Sequence, residues 1–289
     1  MRVGISASPP ALTHAPCLWQ VLGAVMTINR GNPAGYEVLV DSWPEFKAVL
    51  TRPHREVASH DSDFYTNTYA AYYRDLGAYR ALLGSAVNWS QAFWIHGNMA
   101  PTELGRAPRR LSIHVLSVPN PRIPPYSTSP KALRSPQAAS SMGSRNIWGC
   151  SLPGLDPAVR LSSLDISHID LVNETWAFGG NDRSRRYLTS LIRYFPSICL
   201  LDATSRPVSW TLSDPFGAMR QGYTLPQHRG RGYIQVLLNV MAKRLHTLGY
   251  PSYCHVALDN YPMQRLQERQ GFQPPASHGV CYPQPHSTI

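Results

Sequence analysis

A short basic stretch rich in glycine, Arg229-Gly230-Arg231-Gly232, carries residue types that could bind an anion. It lies between a β-like run ending near Leu225 and an amphipathic segment beginning at Tyr233. The first N–H groups of a helix lack partners within it and carry partial positive charge, and glycine permits close approach of the backbone. The arginines can add charge-assisted hydrogen bonds. The stretch therefore suits a pyrophosphate, with a nucleic-acid patch and an ordinary turn as the alternatives.

The glycine spacing on its own does not identify the ligand. It matches neither the G-x-x-x-x-G-K-[ST] pattern of a P-loop nor the G-x-G-x-x-G pattern of a dinucleotide site. The chain also lacks G-x-S-x-G, H-E-x-x-H and any metal-spaced cluster, so we expect no metal. Its 5 cysteines are widely spaced without C-x-x-C, which predicts free thiols in a reducing compartment.

Helical and strand-like patterns from Asp156 onward predict a mixed α/β domain. Two helices come first. The first is predicted to be N-capped by Ser167, and the second follows the sequence GGND at 179–182, which is typical of one helix ending and the next being capped. Three strands, a helix over Tyr233 to Leu248, one strand and a short helix ending at Gly271 complete the order. The segments are DISHIDLVNETWAF, DRSRRYLTSLIRYF, SICLLD, PVSWTLSD, AMRQGYTLP, YIQVLLNVMAKRLHTL, YCHVAL and YPMQRLQERQGF.

The part of the chain before Asp156 divides into two regions. In residues 1–104, YEVLVDSW and FKAVL alternate like strands, and FYTNTYAAYYRDLGAYRALL places an apolar stripe at helical spacing. Residues 105–155 are rich in Pro, Ser and basic residues and contain no acidic side chain. Such a segment buries too little apolar surface to offset its ordering entropy, which predicts a disordered basic linker. The domains are therefore 1–104 and 156–289, the latter with core motifs at 207–275.

The overall charge favours an anionic partner without choosing it. The formal net charge is +10, although charged residues make up only 15% of the chain. The basic residues are scattered rather than interleaved with aromatics, so nucleic acid is the weaker hypothesis. No apolar run reaches the roughly 18 residues that a membrane span needs, so we expect none.

Two segments resemble the GCN5-related N-acetyltransferase superfamily. The acyl-CoA loop of that superfamily reads Arg/Gln-x-x-Gly-x-Gly/Ala between a strand and a helix, and Arg229 and Gly232 fit it. Ile234 stands where Gly or Ala is usual, and a second frame from Gln227 fits by letter. LDNYPMQRLQERQGF is similar to the superfamily's closing segment. More narrowly, six segments look like the glycine N-acyltransferase family. They are INRGNP, VLVDSWPEFKAV, DFYTNTYAAYYRD, NETWAFGGNDRS, PVSWTLSDPFGAMRQGYTLPQHRGRGY and YCHVAL.

The resemblance implies a fold and an activity. It implies tandem GCN5-related N-acetyltransferase-like domains, here joined by the Pro/Ser-rich linker, with acyl-CoA as donor substrate. It implies transfer of an acyl group to the amine of glycine or a similar amino acid, without a metal and by a monomer. A mitochondrial location follows, with cytoplasm and the endoplasmic reticulum surface as alternatives. The first 20 or so residues and the linker do not look like the family.

The resemblance also assigns residues. It implies that the pantetheine lies along the strand end and the pyrophosphate in the loop, and that Asn260 lies beside the cofactor. The pantetheine residues are Tyr223, Thr224 and Leu225, and the pyrophosphate residues are Arg229, Gly230, Arg231, Gly232, Tyr233 and Ile234.

The chain departs from the family at both expected catalytic positions. Ala218 stands where relatives have a glutamate proposed as base, and Gln267 stands where the superfamily often has a thiolate-protonating tyrosine. His255 is then the remaining titratable candidate, with a purely structural strand histidine as the alternative. The alternative function is a catalytically impaired relative that binds acyl-CoA.

Overall fold

A computed structural model describes residues 18–54, 63–91, 93–97, 156–257 and 259–272, together with the backbone of 113–117 and 282–283. The atypical N-terminus and most of the predicted linker lie outside the described residues. The first part of the chain contains α1 (Leu18–Asn29), β1 (Tyr36–Val40), β2 (Ala48–Pro53), β3 (Thr68–Tyr73), α2 (Leu76–Ala86) and β4 (Trp94–Gly97). These strands form a sheet in the order β1-β2-β3-β4-β11, where β11 is Tyr282–Pro283.

The second sheet carries the glycine-rich loop. Its elements are β5 (Ile113–Ser117), β6 (Arg160–Ser162), α3 (Ile169–Thr175), α4 (Asp182–Tyr194), β7 (Ser197–Leu201), β8 (Pro207–Ser213), β9 (Ala218–Thr224), α5 (Tyr233–Thr247), β10 (Tyr253–Ala257) and α6 (Tyr261–Arg269). The strand order is β5-β10-β9-β8-β7-β6. The predicted order of helices and strands from residue 166 to residue 269 is confirmed, and so is the mixed α/β class.

The structure corrects the predicted helix over residues 64–83. Residues 68–73 form β3, and α2 begins only at Leu76, after Asp75 accepts a hydrogen bond from the backbone N–H of Ala78 at 2.7 Å. The stretch TYAAYY satisfies a helical stripe and a strand equally well by polarity, but its aromatic and β-branched residues fit a pleated sheet. The apolar stripe is nevertheless core, because Tyr69, Tyr79 and Leu83 are buried.

Two smaller predictions are also wrong. Residues 113–117 lie within the predicted disordered linker, yet they form β5, which pairs antiparallel with β10. The average composition of 105–155 concealed this short run of apolar and β-branched residues. The helical turn before α3 is capped by Asp165, whose carboxylate accepts from the backbone N–H of Ser167 at 2.8 Å, and not by Ser167.

The core of the second sheet lies around the neighbouring strands β7 and β8. Strands β7 and β8 are buried along their whole length, so both of their faces are covered. Helix α4 contributes Leu188 and Leu191 to this core, and α5 contributes Leu237 and Met241. This packing holds β9 on one side against β8 and fixes the start of α5, which are the two elements that position the glycine-rich loop.

The turn between β8 and β9 joins the two parts of the protein. The Thr27 hydroxyl of α1 donates to the Pro215 carbonyl at 2.8 Å, and the Tyr253 hydroxyl donates to the Phe216 carbonyl at 2.9 Å. Gly23 makes this approach possible, since a Cβ there would lie 1.7 Å from the Phe216 oxygen. Among the described residues, no helix is long and apolar enough to cross a bilayer.

Candidate functional site

Strands β9 and β10 separate beside the loop. They pair in parallel only at Tyr253 with Ala218 and at Cys254 with Met219. Farther along, the β9 ladder with β8 is interrupted by a register shift, near which Gln221 adopts a φ of 48°. Such an irregularity bends a strand. Beyond their two pairs the strands are no longer bonded to each other, and an extended ligand could lie next to strand backbone in the gap between them, which is called the β9–β10 cleft below.

The glycine-rich loop leads into a helix whose N-terminus no side chain caps. Gly232 is the N-cap of α5 in the left-handed region, with a φ of 74°, and offers no side-chain acceptor. By contrast, α4 and α6 are capped by Asn181 and Asn260. Gly230 also has a positive φ of 77°, and no atom lies within 4 Å of a Cβ built at either glycine. No side chain caps the first N–H groups of α5, and an uncapped helix start after glycines is the arrangement of a helix-terminal anion site.

The two arginines of the loop are held by neighbouring groups. The Nε of Arg229 donates to the Thr224 carbonyl at 3.1 Å, and its guanidinium lies 5.5 Å from the centre of the Tyr223 ring. Arg231 pairs with Asp156 at 3.3 Å, and the Tyr233 hydroxyl donates to the same carboxylate oxygen at 3.2 Å. Both arginines are exposed, so an incoming phosphate could reach them by displacing these contacts.

The other predicted cofactor residues fall on both sides of the loop. The Thr224 hydroxyl hydrogen-bonds Ser209 at 2.8 Å, and Leu225 is buried, so only their backbone lines the cleft. Ile234 is half-buried over Gly222, where a Cβ would approach its side chain to 3.3 Å. Asn260 is exposed at the start of α6, and its side chain accepts from the Met263 N–H at 3.3 Å. Its observed contact is therefore that of a helix cap.

His255 lies on β10 just past the point of separation. Both ring nitrogens are inaccessible to solvent and have no hydrogen-bond partner among the described residues. Its ring stacks on that of His96 from β4, with centroids 5.4 Å apart. Burial lowers the pKa of His255 well below 6.5, and the charge of Arg220 and the neighbouring His96 lower it further. The ring is therefore neutral at pH 7, with one donor and one acceptor nitrogen.

Three residues of this site, Asp214, Arg220 and His96, were not found from the sequence. Asp214 is buried in the β8–β9 turn and accepts from the backbone N–H groups of Phe216 and Ala218, both at 2.9 Å. Burial raises its pKa, while Arg220 and the two backbone donors oppose the rise. His96 is 2% exposed, and burial together with Arg220 lowers its pKa to about 3.

The two departures from the expected catalytic pattern are both enclosed. Ala218 is completely buried and packs with Tyr253 and Trp19, so its side chain can take no proton. Gln267 is 2% exposed, and its Oε1 has no partner among the described residues. An amide does not release a proton to a thiolate. Among the described residues, no group of three or more His, Cys, Asp or Glu side chains could hold a metal ion.

Comparison with known proteins gives one consistent family. Residues 12–196 match the family model described as aralkyl acyl-CoA:amino acid N-acyltransferase, and residues 198–279 match the model of its C-terminal region. The chain is 36% identical to glycine N-acyltransferase of Rattus norvegicus, over 88% of this chain and 86% of the relative. It is 34% identical to glycine N-phenylacetyltransferase of Bos taurus, over 86% and 84%.

Solved structures show the same fold at low sequence identity. A Drosophila protein superimposes with a TM-score of 0.60 at 13% identity, covering 92% of this chain and 85% of that one. A tandem GNAT protein from the clavulanic acid biosynthesis pathway superimposes with a TM-score of 0.50 at 14% identity, covering 99% and 92%. The predicted tandem acetyltransferase-like fold is therefore confirmed.

Proposed function

The chain belongs to the aralkyl acyl-CoA:amino acid N-acyltransferase family, and on that premise we propose that it transfers an acyl group from acyl-CoA to the amine of glycine or a similar amino acid. Relatives named for this activity cover most of the chain, and they favour an active transferase over an impaired acyl-CoA-binding relative. We also propose, from the family resemblance alone, a monomer located in mitochondria.

The uncapped start of α5 is the observation that carries the donor half of this proposal. Gly230 and Gly232 have open space where a Cβ would lie, and the first N–H groups of α5, which no side chain caps, suit a pyrophosphate. Arg229 and Arg231 flank that space and can exchange their present partners for phosphate oxygens. The β9–β10 cleft continues from this point toward His255 and suits the extended pantetheine.

The chemistry requires a neutral amine at the thioester carbon. The amine nitrogen forms a bond to the carbonyl carbon, the carbon–sulfur bond breaks, the amine loses a proton and the CoA thiolate gains one. His255 is neutral and keeps an acceptor nitrogen, so it can take the amine proton directly or through one water. Solvent in the cleft supplies the proton to the thiolate, because Gln267 cannot.

One assay tests the proposal. Purified protein is mixed with an aralkyl or fatty acyl-CoA and glycine, and the free thiol of CoA is followed with a thiol reagent. We expect saturable thiol release that requires both substrates, with the N-acylglycine as the second product. Saturable CoA binding without thiol release would contradict the transferase proposal and support the impaired alternative.

A matched pair of glycine variants tests the assignment of the loop. Gly232→Glu should raise the dissociation constant of CoA at least tenfold, because it places a carboxylate and a bulkier residue where the pyrophosphate binds. Gly180→Glu is the control, since Gly180 also has a positive φ, 81°, and open space for a Cβ but lies at the start of α4. Equal CoA affinity in the two variants would refute the loop assignment.

A further inference from the structure

Four polar side chains from distant parts of the sequence meet between the two parts of the protein. Arg220 of β9 pairs with Asp214 on the preceding turn, and His255 on β10 stacks on His96 of β4. The charge of Arg220 lowers the pKa of both histidines, which links the two pairs. The sheet that contains β4 thereby supplies a side chain to the cleft formed by the other sheet. None of these side chains belongs to the cofactor loop, so this cluster is a second polar surface of the same site.

Arg220 is placed to bind an anion in addition to Asp214. Its Nη1 lies 3.5 Å from the Asp214 Oδ2, which is the outer limit of a hydrogen bond, and its side chain is 25% exposed. Asp214 accepts through its other oxygen from two backbone N–H groups. A guanidinium carries five N–H donors in a fixed fork, so its contact with Asp214 through Nη1 does not exclude a second carboxylate.

His255 supplies the second requirement, a neutral group for an amine. Its two ring nitrogens are buried without a partner among the described residues, which leaves one donor and one acceptor unsatisfied. Buried polar groups in native proteins are almost always paired with protein, water or ligand. The unsatisfied ring therefore indicates a position that a polar molecule completes.

We propose that Arg220 binds the α-carboxylate of the acceptor amino acid and thereby directs its amine to His255 at the cleft. The inference rests on the transferase function proposed above and specifies its acceptor as an amino acid with a free carboxylate. Arg220 is then a specificity-determining residue for the acceptor and not for the donor. Strand β9 carries both halves of the site, with Arg220 near its start and the pantetheine backbone at Tyr223 and Thr224.

The chemistry distinguishes this acceptor from other amines. In glycine, the carboxylate and the amine are attached to the same carbon, so binding of the carboxylate also fixes the direction of the amine. Glycinamide keeps the amine but lacks the negative charge, and its amine is the more easily deprotonated of the two. If Arg220 did not bind the carboxylate, glycinamide would therefore be at least as good an acceptor as glycine.

The test measures acceptor binding and transfer separately. Calorimetry of the CoA-saturated protein should show glycine binding at least tenfold tighter than glycinamide. Arg220→Gln should weaken glycine binding and raise its KM about 10- to 100-fold, with CoA affinity and glycinamide binding changed less than threefold. Arg220→Lys should recover part of the glycine affinity, because it restores the charge without the fork. Arg206→Gln, an exposed arginine on the β7–β8 turn, is the control and should match the unmodified protein.

The outcomes separate the two proposals. Equal affinity for glycine and glycinamide in the unmodified protein, or no glycine binding at all, overturns the role of Arg220, and this measurement needs no variant that could misfold. Arg220-dependent glycine binding without thiol release refutes the transferase activity and leaves the carboxylate site standing. Equal weakening of both acceptors in Arg220→Gln also overturns the inference.

Discussion

Replacing Gly23 by alanine tests how the two parts of the protein are held together. The new Cβ would lie 1.7 Å from the Phe216 carbonyl oxygen, whereas real Cβ atoms stay beyond about 3.0 Å, so α1 and the β8–β9 turn must move apart by about 1.3 Å. That movement strains two buried hydrogen bonds, from Thr27 to Pro215 and from Tyr253 to Phe216.

The magnitude follows from these contacts. Overpacking costs about 1–3 kcal/mol, and each weakened hydrogen bond about 1 kcal/mol. Better helix propensity of alanine offsets about 1 kcal/mol, so the free energy of unfolding should fall by about 2–4 kcal/mol. Urea unfolding of the full chain measures it. The control is Gly84→Ala in α2, where no atom lies within 4 Å and a gain of about 0.5–1 kcal/mol is expected.

The comparison of these two helical glycines can refute the reasoning. If Gly23→Ala is as stable as Gly84→Ala, then α1 does not rest on the turn as described. Asp214 lies in the same turn, so unchanged stability would also mean that Gly23→Ala leaves the acceptor site undisturbed.

Three further predictions concern charges. Below pH 6.5 the unfolded chain binds a proton that folded His96 does not bind until about pH 3, so His96 alone should lower the stability by about 1.4 kcal/mol per pH unit on acidification, and His255 adds to this fall because its pKa is also lowered. Urea unfolding at pH 7 and 5 should show the fall, and His96→Gln should lessen it. Asp156→Asn should release Arg231 and lower the dissociation constant of CoA up to about fivefold by calorimetry, since an exposed ion pair is weak, whereas Asp202→Asn should leave the affinity for CoA unchanged. Ala218→Glu should destabilise the protein more at pH 8 than at pH 5 in the same urea assay, because its carboxyl group would ionise at a completely buried position; equal losses at both pH values would contradict this.

Local sequence signals predicted the second sheet well. Asn181 caps the start of α4, and Gly271 follows the end of α6 with a positive φ, as capping chemistry predicts. Residues 68–73 were assigned to the wrong element because their polarity pattern suits both periods, and only pairing with β2 and β4 decides for a strand. Tertiary pairing is not encoded in a short window.

The cofactor loop was recognisable because its parts are adjacent in sequence. The acceptor cluster was not recognisable as a unit. His255 was a candidate from the sequence, but its neighbours His96, Asp214 and Arg220 lie up to 159 positions away from it and were not found. Only the fold brings them together. A search of the described residues for a buried ring whose nitrogens lack hydrogen-bond partners would find His255 from coordinates, but no spacing rule would find the cluster from the sequence.

The return of β11 to the first sheet has a consequence for how the protein folds. Strand β11 follows all strands of the second sheet in sequence, yet it pairs with β4 of the first sheet. No single cut in the backbone can therefore yield two pieces that each contain a complete sheet. Each sheet is completed only by contacts distant in sequence, so assembly is expected to be slow and cooperative. The glycine-rich loop and Arg220 are then expected to form, and to be lost on unfolding, in the same step.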